Sequence, residues 1–189
     1  MTEEQFEEAI GRVANGDRMA LHDIYKEYMS YIYSVVFTIL KNKENAEDVC
    51  SDFFIKLMSI APSYKGGHGH KGYLATIARN MSIDYLRKYG KEEMVADFEY
   101  HGDEDADKGI GMETSINESH KSAEEEVIDN MSPMDAINEL PPPEPEIVNL
   151  KVMGQLTFKE IAEMLKLPMG TVTWHYREAI NRLRRYGYA

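Results

Sequence analysis

Residues 156–185, LTFKEIAEMLKLPMGTVTWHYREAINRLRR, read as two helices joined by a turn. Thr157 is placed to cap the first helix, and Glu160, three residues on, completes a Thr-x-x-Glu capping box that satisfies orphan amides at a helix start. Ile161, Ala162 and Leu165 form its apolar face, Ala162 being small enough to let a second helix close on it. Lys166, Leu167 and Pro168 break the run. From Met169, the residues Val172, Tyr176, Ala179, Ile180 and Leu183 recur at helical spacing, so a longer second helix packs on the first and turns its other side outward. That layout is a helix-turn-helix, whose second helix enters the major groove of DNA. A helical hairpin on the surface of an unrelated bundle fits the same pattern.

Around this segment, composition sets bounds. With 189 residues and 43% hydrophobic content the chain suits globular folding, in one domain or two small ones. The longest apolar run, Tyr31 to Leu40, is interrupted by Ser34 and Thr38 and is too short to span a bilayer. The opening MTEEQFEEAI is acidic where a signal peptide is basic and then apolar, so export is not expected. A single cysteine, Cys50, cannot form an internal disulfide, which agrees with a reducing cytoplasm, and it falls on an apolar helical face.

A net charge of −12 argues against nucleic-acid binding by the chain taken whole, but the charge is uneven. Residues 95–133 carry −10, whereas residues 63–94 carry +3. The stretch from Ser63 to Lys91 holds Lys65, Lys71, Arg79, Arg87, Lys88 and Lys91 against Asp84 alone.

Along the chain, Phe6, Ile10 and Val13 space a first helix over residues 2–14, closed by Asn15 and Gly16. Asp17 caps a second that runs to about Leu40, with Leu21, Ile24, Tyr25, Tyr28, Ile32, Val35, Val36 and Ile39 as one broad stripe. A third, from about Glu44 to Ile60, buries Ala46, Val49, Cys50, Phe53 and Leu57. Four glycines over residues 63–72 predict a loop that is mobile or shaped by a partner. A fourth helix is expected from Tyr73 to Tyr89, burying Leu74, Ile77, Ala78, Met81 and Tyr85. Residues 92–132 lose periodicity and hold the acidic runs Asp103 to Asp107 and Glu124 to Glu126, the composition of a solvated linker. The expectation is therefore an all-α chain of two small helical domains, 1–91 and 133–189, joined by an acidic linker over 92–132.

Three stretches together resemble bacterial RNA polymerase sigma factors of the extracytoplasmic-function (ECF) class, which keep two helical domains called region 2 and region 4. Residues 47–57, EDVCSDFFIKL, resemble the region 2 helix that docks on the polymerase clamp. Residues 73–88, YLATIARNMSIDYLRK, resemble the segment that handles the minus-ten promoter element. Residues 156–185 resemble region 4, which reads the minus-thirty-five element. The resemblance implies binding to core RNA polymerase and promoter DNA, control by an anti-sigma factor, a cytoplasmic location, and no enzymatic activity or cofactor.

Site residues follow from that resemblance and from chemistry. Capturing unstacked bases needs aromatic rings beside cations, which Tyr64, Lys65, Lys71 and Tyr73 supply. Arg79, Asn80, Arg87 and Lys88 offer phosphate pairing and base-edge contacts. Asp84 either accepts from a cytosine or braces Arg87 or Lys88 along the helix. For the minus-thirty-five element the candidates are Thr157, Thr171, Thr173, Trp174 and Arg177. For the clamp they are Asp48, Asp52 and Phe54, the last because two adjacent phenylalanines cannot both point at the core centre. His68-Gly69-His70 lacks the further ligands of a metal site.

The recognition helix holds Thr173, His175 and Glu178 where the family usually has Lys or Arg, leaving Arg177, Arg182, Arg184 and Arg185 for phosphates. The linker's acidity is open to two readings: a tether, or a polyanion that imitates RNA inside the polymerase. Two other functions stay open as well: a helix-turn-helix regulator with a helical sensor domain, and an interaction module whose region 4 no longer binds DNA.

Overall fold

The computed structural model describes residues 1–66, 69–89, 132–185 and 187–188; the expected linker, residues 92–132, lies outside all but its last position. Eight α-helices run through the described residues: α1 (Glu3–Ala14), α2 (Arg18–Leu40), α3 (Lys43–Ile60), α4 (His70–Tyr89), α5 (Pro133–Asn138), α6 (Glu144–Val152), α7 (Phe158–Leu165) and α8 (Met169–Arg185). A 3-10 turn, Ala61–Ser63, follows α3. The all-α expectation holds, and no described helix is long and apolar enough to cross a membrane.

Caps set the helix starts. Thr2 and Gln5 make a capping box at α1, and Asn42 caps α3. Asp17 accepts from the amides of Met19 and Ala20 at the start of α2, and Arg12 donates to its other oxygen at 2.7 Å and 2.9 Å. These donors hold the Asp17 carboxyl below its usual range, the Arg12 side chain being the largest influence. Asp17→Ala is expected to lower stability, as loss of an N-cap does, seen as a lower midpoint in urea unfolding.

Helix α2 is central, as expected, and packs against α1, α3, α4 and α6. Phe6, Ile24, Ile32, Val36, Phe53, Leu57 and Leu74 are fully buried. Cys50 is buried too, and burial pushes its thiol up to about 12. The same cluster takes in Ile147, Leu150, Leu156, Ile161, Ala162 and Val172, so the two helical halves share one core. A smaller cluster of Ala136, Leu140, Val148, Ala179 and Leu183 joins α5, α6 and α8. At Gly154, just past α6, an added Cβ would lie 2.6 Å from both the Leu150 carbonyl and the Tyr31 hydroxyl. The two halves thus meet where only a hydrogen fits.

Two expectations are corrected. Tyr25, assigned to the buried stripe of α2, is exposed and lies over Phe54. The loop over 63–72 is shorter than expected because α4 begins at His70, one turn earlier. Its first amide donates to Glu3 Oε2 at 3.0 Å, a carboxylate brought by α1 to the positive end of the helix. The His70 ring faces the same oxygen through Nδ1 at 2.5 Å. With that nitrogen donating, Nε2 is left to accept from the Tyr28 hydroxyl at 2.7 Å. Phe6 stacks on the imidazole with centroids 5.0 Å apart. The backbone amide of His70 holds the Glu3 carboxyl below its ordinary value.

Candidate nucleic-acid and polymerase interface

The clamp candidates divide. Asp48 and Asp52 are exposed on the outer face of α3, whereas Phe54 is buried, with 7% of its surface accessible. The reasoning from adjacent phenylalanines fails because Phe53 occupies the core while Tyr25 of α2 covers Phe54, centroids 4.9 Å apart. The apolar group that does stand out on this face is Ile55, 66% exposed, with Met58 at 44%. Ile55 lies three residues from Asp52 and seven from Asp48, one helical face, so the spacing alone could have found it.

The aromatic candidates are half-buried. Tyr64 packs edge-on against Phe6 at 5.5 Å and Tyr73 at 4.9 Å, and burial pushes its hydroxyl up to about 12. Tyr73 likewise rests on the core, and burial raises its hydroxyl above the ordinary range. Lys65 is exposed beside them. His68 lies outside the described residues.

Helix α4 presents its cations unequally. Arg87 and Lys88 are exposed in the last turn, Arg87 lying 3.5 Å from Asp84 and Lys88 over the Tyr89 ring at 4.9 Å. Asp84 therefore faces its own helix's cation, the bracing arrangement. Asn80 is also exposed. Arg79 is not on this outward face. Its Nε donates to Glu146 Oε1 of α6 at 2.7 Å. Lys71 reaches the Gln155 side chain at 3.0 Å.

In the helix-turn-helix the expected capping box is present, and Thr157 spends its hydroxyl on Glu160. Thr173 spends its own on the carbonyls of Met169 and Gly170. Thr171 is half-buried. Trp174 is 55% exposed and Arg177 is exposed, as their register requires. Arg182 was expected to serve phosphates, but it is bound to the buried carboxylate of Glu144. His175 sits half-buried near the same carboxylate, and burial lowers its pKa. Arg184 and Arg185 stay exposed.

Among the described residues no three His, Cys, Asp or Glu side chains gather as a metal site would need. Comparison with known proteins gives the family. Sigma-70 region 2 matches residues 24–92 and Sigma-70, region 4 matches residues 134–183, between them more than half the chain. The ECF RNA polymerase sigma factor SigW of Bacillus subtilis is 29% identical over 179 residues, covering 93% of both chains. The ECF RNA polymerase sigma-E factor of Haemophilus influenzae is 26% identical, covering 86% of this chain and 85% of its own. Among solved structures, CnrH in complex with the cytosolic domain of CnrY superposes with a TM-score of 0.58 at 13% identity, over 96% of each chain. The sigma factor RpoE, bound to the anti-sigma factor NepR, from Bartonella quintana gives 0.57 at 21%, over 87% of this chain and 96% of its own. Two sigma-factor regions in the right order, on helices that superpose on those solved chains, place this protein in a family that acts in transcription initiation: it belongs to the ECF sigma factors.

Proposed function

We propose that the chain binds core RNA polymerase, recognises a two-part promoter and helps to melt DNA at the minus-ten element. The observation that carries this reading is the pair of exposed cations, Arg87 and Lys88, in the last turn of α4. Beside the recognition helix with Trp174, Arg177, Arg184 and Arg185 on its surface, they offer the chain two separate contacts with DNA. In this reading residues 1–91 act as region 2 and 133–189 as region 4, joined through 92–132. The minus-ten element is held by Lys65, Asn80, Arg87 and Lys88, with Tyr64 and Tyr73 stacking bases once they turn out of their half-buried seats. Arg79 and Lys71 join them when released from the second half, and Asp84 steers Arg87 along the helix. Thr171, Trp174 and Arg177 face the minus-thirty-five element, while Thr157 and Thr173 shape the helix ends that hold them there. The polymerase clamp meets Asp48, Asp52 and Ile55. An anti-sigma factor is the partner that the family implies, and the cytoplasm is where these partners meet.

In vitro transcription with core polymerase on genomic DNA tests the reading. Specific starts that require the added chain are expected, and core polymerase that gives no specific start with it would overturn the assignment.

A further inference from the structure

The outward side of α8 is centred on an indole. Val172, Ala179 and Leu183 are buried, and the opposite side of the helix brings Gly170, Arg177, Glu178 and Asn181 within roughly 60° of Trp174. Trp174 is 55% exposed, Arg177 and Asn181 are exposed, and Glu178 is half-buried. One turn before the indole stands Gly170, where an added Cβ would meet nothing within 4 Å. That turn is therefore bare backbone, open to an approaching groove. The His175 ring lies edge-on to the indole with centroids 4.7 Å apart, and His175 is itself seated half-buried beside Glu144 and Arg182. The indole is thus braced on one side and open on the other.

The groups beside it have little hydrogen bonding to give a base. Thr173 donates its hydroxyl proton to the carbonyls of Met169 and Gly170. His175 Nδ1 is buried. Over residues 169–181 the sequence holds one Lys or Arg, Arg177. In a recognition helix the N-terminal residues meet base edges in the major groove. There thymine alone shows a methyl group, and its O4 accepts from a single donor. An indole has both counterparts, an apolar ring and one Nε1–H. Guanine offers two acceptors, which suit a forked donor such as Arg177, while adenine and cytosine present amino donors that an indole cannot accept from. The match is with thymine.

We propose that Trp174 is a specificity-determining residue of this chain: it selects a thymine in the minus-thirty-five element, recognising the base by its C5 methyl group rather than by charge. The inference rests on the sigma-factor reading for DNA as the occupant of α8, and within that reading it names the base and the group on the base. Because the contact neutralises no phosphate, the affinity it supplies does not depend on salt.

Uracil in place of thymine removes the methyl group and leaves O4 and the base pairing intact, so it tests this contact by itself. Holoenzyme, formed from core polymerase and the full chain, is bound to a promoter taken from a mapped start, with uracil substituted at one thymine of the minus-thirty-five element at a time. At one position uracil is expected to weaken wild-type binding about fourfold, the loss for one buried methyl group. Trp174→Ala should bind the thymine and uracil promoters alike at that position, with the slope of log K against log salt unchanged from wild type. Trp174→Phe keeps an apolar ring and should recover part of the discrimination. The exposed indole is not part of the core, so both variants should keep wild-type helicity by circular dichroism. An element that holds no thymine, uracil tolerated at every thymine in it, or a uracil effect equally large in Trp174→Ala overturns the proposal. A chain that gives no specific start with core polymerase fails at the earlier step, and the sigma-factor reading then falls and takes this proposal with it.

Discussion

Phe6→Ala should lower the unfolding free energy by about 3–5 kcal/mol, the range for emptying an aromatic site in a packed core. Phe6 is fully buried, and its ring meets three others: Tyr28 at 5.9 Å, Tyr64 at 5.5 Å and His70 at 5.0 Å. Those neighbours come from α2, the loop after α3, and the first residue of α4. The cavity would therefore open where three segments converge, and small collapse could not refill it. The same substitution removes the floor under Tyr64, so the cationic loop should loosen together with α1. Urea unfolding followed by circular dichroism measures the first effect, and increased hydrogen exchange over residues 64–66 and at the start of α4 measures the second. A loss under 1 kcal/mol, or protection unchanged there, would show that α1 does not anchor this loop.

Arg87→Ala with Lys88→Ala should weaken promoter binding by holoenzyme roughly tenfold or more and reduce the slope of log K against log salt by about 2, one per lost phosphate contact. Arg177→Ala should do less. Arg87 and Lys88 sit together at the exposed end of α4, and their only described companions there are a solvated Asp84 and the Tyr89 ring. On α8 the exposed cations are spread over residues 177, 184 and 185, with Arg182 taken by Glu144. Filter binding across a salt series checks the ranking, and the opposite order would make α8 the principal electrostatic contact.

What the sequence disclosed, and what it withheld, divides by distance along the chain. The helix-turn-helix was legible because a capping box spans four residues and an amphipathic stripe repeats every three or four. The starts of α2 and α7 were legible for the same reason. The start of α4 was not, because His70-Lys71-Gly72 looks like the end of a glycine-rich loop until Glu3 arrives from 67 residues away to receive its first amide. Arg79 misled in the same way: its helix face is polar, and a polar face reads as solvated unless the position of Glu146 is known. Phe54 misled because an adjacent pair of aromatics has one member to spare, and only the fold shows Tyr25 lying over that member. Local chemistry thus wrote the elements, while the pairing of charges across the core settled which side chains remain available.

The single thiol of this chain bears on how it can be informed of its surroundings. Sulfur senses oxidants as a thiolate open to solvent. Cys50 is buried on α3, where burial pushes its thiol up to about 12, and the sequence holds no second cysteine to resolve a sulfenic acid as a disulfide. In the folded chain Cys50 is therefore poorly placed to act as a thiol sensor of oxidants.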